Sequence, residues 1–183
     1  MLCLRCRAEN QNGARLCGSC GAILPRNAAF AQAMSHLDLK EGKTYDKPDR
    51  SYPNIQIDQL EAAINDFLNG QGNEEEVYDL ADQLEETAAE VLDSIPRVVT
   101  AANYDKDNQE DDELRHLLPY LLSTGAELLN TALSELDDFL SGEPVEIEPV
   151  LKKLRESNDY LCHSANIMQT LLAEASASVT KTD

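Results

Sequence analysis

Residues 64–70 read Ile-Asn-Asp-Phe-Leu-Asn-Gly, and residues 136–142 read Leu-Asp-Asp-Phe-Leu-Ser-Gly. The two stretches match at an offset of 72. After a two-residue deletion in the turn, Val77, Leu80 and Leu84 match Ile147, Val150 and Leu154 at an offset of 70. Each copy is a helix, a glycine-containing turn and an acidic, capped helix, which is an αα-hairpin. Two such hairpins packed together predict an antiparallel four-helix bundle. Convergence on one helical pattern is the rival explanation, but the shared Asp-Phe-Leu-x-Gly spacing favours duplication.

Outward from these stretches the apolar period stays helical. Leu60, Ile64, Phe67 and Leu68 form the first stripe, Asp58 with Glu61 suggests a capping box, and Gly70 ends the helix. Asn73 caps the next helix, with Glu74, Glu75 and Glu76 in its first turn. Its stripe runs from Val77 to Val98, and Pro96 is predicted to kink or end it near Ser94. Residues 101–112 are polar and acidic, and a loop is expected there. A leucine-rich third helix follows from Leu114 to Leu140, bent in its first half at Pro119 and Gly125. A fourth begins near Glu146 to Pro149, because proline is tolerated in a first turn. The expected acidic bundle spans residues 55–176, with repeat 1 at about 58–98 and repeat 2 at about 128–172. Residues 177–183 are expected to be a disordered tail.

Upstream, residues 1–24 read MLCLRCRAENQNGARLCGSCGAIL. Cys3 with Cys6, and Cys17 with Cys20, are two C-x-x-C pairs, and their spacing suits one structural Zn²⁺ with no open coordination position. Gly18 and Gly21 serve the second turn, while Arg7 stands where the first would take glycine. Asn10, Asn12 and Gly13 supply turn chemistry between the pairs. Two disulfides are the alternative, but no apolar signal region precedes Cys3 to send the chain to an oxidising compartment. A thioredoxin-like redox pair would expect a single C-x-x-C inside a βαβ unit. Residues 26–54 hold a potential short helix, Ala28 to Leu39, followed by EGKTYDKPDRSYPN, whose composition predicts a flexible linker.

Residues 1–25 resemble the short bacterial zinc-ribbon domain, the unit that occurs twice in double zinc ribbons. The resemblance rests on both cysteine pairs, Asn10, the Gly13-Ala14 step and the run Cys17 to Leu24. It implies Zn²⁺ on Cys3, Cys6, Cys17 and Cys20, carried by two β-hairpin-like knuckles. Such ribbons occur on very different bodies, so it implies metal binding and little about role. The fold class expected is therefore mainly α, a small Cys₄ ribbon tethered to the bundle.

The 183 residues carry 15 Lys/Arg and 34 Asp/Glu, a net charge of −19. The charge is lopsided, with a net +3 over residues 1–50 and −22 over residues 51–183. A body this anionic repels phosphate and anionic lipid surfaces, which argues against nucleic acid and membrane as its partners. The acids either solvate the helix faces or attract a basic protein partner. No apolar run approaches the roughly 18 residues that span a bilayer, and a cytoplasmic location is expected. Catalytic signatures are absent from the sequence. There is no P-loop, no G-x-G-x-x-G, no G-x-S-x-G and no H-E-x-x-H. Glu113-Leu-Arg-His116 is a single Glu-x-x-His where a di-iron bundle needs two. Cys162 and His163 are adjacent in sequence, which places them poorly as nucleophile and base.

The sequence therefore predicts a non-enzymatic zinc-binding adaptor, with Leu2, Leu4, Arg5, Arg7 and Arg15 as the ribbon's contact surface. The second reading is a nucleic-acid- or polymerase-linked regulator that touches its target through Arg5, Arg7, Arg15 and Arg26. A third, an acidic decoy that holds a basic partner, rests on charge alone. The surplus of leucines in the third helix suggests a homo-dimer.

Overall fold

The computed structural model describes residues 3, 6, 8–11, 14, 16–22, 24, 30, 45–101 and 109–179. Four long helices carry the described chain: α1 (Ile55–Leu68), α2 (Glu74–Ala101), α3 (Gln109–Leu140) and α4 (Ile147–Val179). α1 packs on α2 and α3 on α4, and α2 also touches both helices of the second hairpin. The result is a helical bundle around one apolar core, in which Leu60, Ile64, Leu122, Leu133, Leu136 and Leu154 are fully buried. No helix among the described residues is long and apolar enough to cross a membrane.

The repeated stretches fold alike. After α1, Asn69 N–H donates to Asn65 O at 3.0 Å, Gly70 N–H to Phe67 O at 3.0 Å and Gln71 N–H to Asp66 O at 2.8 Å. After α3, Ser141, Gly142 and Glu143 donate to Asp137, Phe139 and Asp138 at 3.0, 3.0 and 2.9 Å. Gly70 and Gly142 adopt φ of +70° and +85°, the left-handed conformation that closes a helix and that side chains disfavour. The Asp-Phe-Leu-x-Gly motif is thus a helix stop used twice.

Several helix boundaries differ from expectation. Asn73 caps α2 as expected, its Oδ1 accepting Glu76 N–H at 2.8 Å. α1 instead starts at Ile55, and Asn54 is its cap, accepting from Gln56 N–H at 2.9 Å. Asp58 and Glu61 form no capping box; they lie inside the helix and pair with Arg155 of α4. The backbone of α2 continues past Ser94 and Pro96 to Ala101. A proline removes a single N–H from the ladder, and the turns on either side remain bonded. α3 already begins at Gln109, four residues inside the expected loop at 101–112. The acids at 110–112 suit a first turn, where the macrodipole favours negative charge. α3 runs unbroken through Pro119 and Gly125. α4 extends to Val179, so residues 177–179 are helical, and the rest of the expected tail lies outside the described residues. Of the potential helix at 28–39 only Phe30 is described, and it is helical and buried in the main core.

The described part of the expected linker, residues 45–54, is docked rather than free. Tyr52 N–H donates to Asp159 Oδ1 at 2.9 Å, and Asn158 Nδ2 donates to Tyr52 O at 2.7 Å. Asn54 Nδ2 reaches Asn158 Oδ1 at 2.8 Å, and the Tyr52 hydroxyl lies 3.1 Å from His163 Nδ1. Tyr120 of α3 donates its hydroxyl to Tyr45 O at 3.0 Å. The segment is polar because it answers polar groups on α4, not because it avoids the core. Asp159 is 5% exposed, so its carboxylate needs these donors. Asp159→Ala, which strands the Tyr52 N–H, is expected to cost about 1–3 kcal/mol in urea unfolding, while Asp159→Asn keeps most of it. Equal losses in both variants would show that residues 45–54, a strap along α4, are not held by this hydrogen bond.

Candidate metal centre

The two cysteine pairs sit on two similar turns. Cys3 N–H donates to Ala8 O at 2.9 Å, and Cys17 N–H donates to Ala22 O at 2.8 Å. The same five-residue closure therefore follows the first cysteine of each pair. In the second turn Gly21 N–H returns to Cys17 O at 2.9 Å, and Gly21 takes a φ of +70°. Glu9 and Leu16 are the β-bridge residues of this region. Cys3, Cys17 and Leu24 form a separate small core, with Ala8, Ala14, Cys20 and Ala22 against it.

These turns bring the four sequence-predicted ligands together. The sulfurs of Cys3, Cys6, Cys17 and Cys20 all lie within 4.8 Å of one another. Cys3 Sγ is 3.6 Å from Cys20 Sγ, and Cys6 Sγ is 3.5 Å from Cys17 Sγ. All four are free thiols at distances far beyond a sulfur–sulfur bond of about 2.05 Å. The cluster can hold a metal ion. Each sulfur provides one donor, so a four-coordinate ion would be enclosed by protein.

The four thiols are not equivalent. The Cys20 backbone N–H, and then those of Ser19 and the Asn10 amide, hold Cys17 at about 6 against the effect of burial. For Cys6 the Ala8 N–H favours the thiolate, but the neighbouring sulfurs, that of Cys20 foremost, push the group up to about 12. Cys17 therefore gives up its proton before Cys6, and a cation bound to both must displace the Cys6 proton.

Asn10 has a role beyond turn chemistry. Gly18 N–H donates to Asn10 Oδ1 at 2.9 Å, which fixes the orientation of the amide. Its Nδ2 then donates to Ala8 O at 2.9 Å and faces Cys17 Sγ at 3.6 Å. One side chain thus ties the first turn to the second and donates to a ligand sulfur. Because partners behind the ligands typically carry about 10–100-fold in metal affinity, Asn10→Ala is expected to weaken binding by that factor in a chelator competition. An unchanged affinity would remove Asn10 from the centre. The sequence signal is an asparagine placed between two cysteine pairs, and turn propensity alone explains it equally well.

The remaining candidates are placed elsewhere. Cys162 is partly buried on α4, donates to Asn158 Oδ1 at 3.3 Å, and its thiol is pushed up by burial and by the nearby Asp159. That is the profile of an inert packing cysteine. His163 Nδ1 meets the Tyr52 hydroxyl, while the Cys162 thiol faces Asn158. The side chains of Glu113 and His116 lie outside the described residues, as do Leu2, Leu4, Arg5, Arg7, Arg15 and Arg26.

No protein-family profile, no curated protein and no solved structure matches this chain.

Proposed function

We propose that Cys3, Cys6, Cys17 and Cys20 bind one structural Zn²⁺ in a short zinc ribbon, and that the chain is a non-enzymatic interaction protein. The observation that carries the metal reading is the convergence of four sulfurs within 4.8 Å. A tetrahedral Zn²⁺ with Zn–S bonds of about 2.3 Å sets its sulfurs about 3.8 Å apart, close to the 3.5 and 3.6 Å separations here. Thiolates are soft donors that select zinc over hard cations such as magnesium or calcium. Four protein ligands leave no position for water or substrate, so the ion would organise the chain and perform no reaction.

The body supports an adaptor role through its charge. Residues 51–183 carry a net −22, which favours a basic protein partner and disfavours phosphate. The ribbon is the recognition element on this reading, the helices support it, and the compartment is the cytoplasm. Capture of partners from native lysate tests the division of labour, with wild type compared against Cys17→Ser/Cys20→Ser. Zinc content and helicity are checked on both samples. Loss of a partner with the bundle still helical is the expected result. A partner that binds the variant equally well would move recognition onto the acidic helices. Co-purified nucleic acid lost between about 50 and 200 mM salt would favour a regulator of nucleic acid instead.

A further inference from the structure

Resting on the metal reading above, we infer that Cys6 is the ligand through which thiol-reactive electrophiles and two-electron oxidants release the ion. The four cysteines differ sharply in exposure. Cys3 and Cys17 are 0% and 3% exposed, Cys20 is half-buried, and Cys6 is exposed. A reagent in solution therefore meets Cys6 first.

Hydrogen bonding deepens the asymmetry. Cys17 faces the backbone N–H of Ser19 and Cys20 and the amide of Asn10, whereas Cys6 has the backbone N–H of Ala8. N–H donors draw electron density from a thiolate and lower its nucleophilicity toward carbon or oxygen. Asn10 thus guards the Cys17 sulfur while Cys6 remains open.

The neighbouring sulfur can complete an oxidation. With a peroxide as oxidant and the ion holding Cys6 as a thiolate, the Cys6 sulfur attacks one peroxide oxygen, an S–O bond forms, the O–O bond breaks and hydroxide leaves. Cys17 Sγ, 3.5 Å away, then attacks the Cys6 sulfur, and a second hydroxide leaves as the S–S bond forms. Two thiolates are oxidised by two electrons in total and one peroxide is reduced. The ion loses two of its four donors. Exposure of one ligand thereby makes metal occupancy responsive to thiol oxidation.

The test uses the full chain, with zinc content measured before any reagent is added. Sub-stoichiometric N-ethylmaleimide is added, released zinc is followed with a chromogenic chelator, and modified cysteines are mapped by peptide mass spectrometry. Cys6 is expected to be labelled at least about tenfold faster than Cys17, with one zinc released per Cys6 labelled. Hydrogen peroxide is expected to give a Cys6–Cys17 disulfide. Cys6→His keeps a four-donor Cys₃His set, and about tenfold slower release by peroxide is expected from it. Asn10→Asp still accepts from Gly18 but cannot donate to Cys17, so label should shift toward Cys17. A zinc-loaded chain that labels all four cysteines evenly, or Cys17 first, overturns the inference alone. A chain that binds no zinc overturns the metal reading and this inference with it.

Discussion

Chelating the metal is expected to unfold the cysteine-bearing turns and leave the helical signal nearly intact. Among the described residues, the small core around Cys3, Cys17 and Leu24 has only alanines and Cys20 to complete it. That is far too little apolar surface to offset the entropy of ordering some twenty residues at about 1–2 kcal/mol each. A structural zinc supplies about 10–16 kcal/mol, so binding and folding of these turns are one event. The bundle has its own core and shares none of these residues. A strong chelator should therefore open the buried Cys3 and Cys17 to thiol labelling, while far-UV circular dichroism changes little. Acid should act in the same direction. The ligands bind as thiolates, so each proton taken up as pH falls competes with the ion, and affinity drops with decreasing pH. Collapse of the helical signal on chelation would contradict this separation.

Gly125→Val is expected to destabilise the bundle by about 3 kcal/mol, the upper end of the overpacking range. A Cβ on Gly125 would stand 2.9 Å from Leu161 Cγ, 3.0 Å from Leu161 Cδ2 and 3.1 Å from Tyr160 Cβ. Leu161 and Tyr160 are both buried on α4. The close approach also lets Ser157 Oγ donate to Gly125 O at 2.7 Å, a bond that any separation of α3 and α4 would lengthen. Gly125→Ala isolates the competing effect. Alanine returns about 1 kcal/mol of helix propensity, but its methyl meets the same atoms at a cost of about 1–3 kcal/mol. The net is a smaller loss, and valine adds two methyls to it. Urea unfolding of both variants decides the matter. An alanine variant more stable than wild type would show that Leu161 moves aside freely.

The sequence carried more of the fold than of its details. Hairpins were legible because Gly70 and Gly142 end their helices by one local geometry, and local geometry is written in adjacent residues. The Asn73 cap was legible for the same reason. The strap was not, because Asp159 and Tyr52 are 107 residues apart and no short-range pattern links them. Its Pro, Gly and charged neighbours read as linker chemistry, although a polar segment facing a buried carboxylate has that composition too. The contact role of Gly125 was not legible, because it depends on Leu161 across the hairpin. The convergence of Cys3, Cys6, Cys17 and Cys20 was legible from the C-x-x-C spacing. The inequality of the four sulfurs was not, since burial and the Asn10 bridge arise only when the two turns meet.

Native mass spectrometry of the purified chain, beside the Cys17→Ser/Cys20→Ser variant, tests the central claim most directly. One zinc per wild-type chain, none retained by the variant, and no disulfide in either are expected. A wild-type mass without metal and lower by the hydrogens of two disulfides would contradict it.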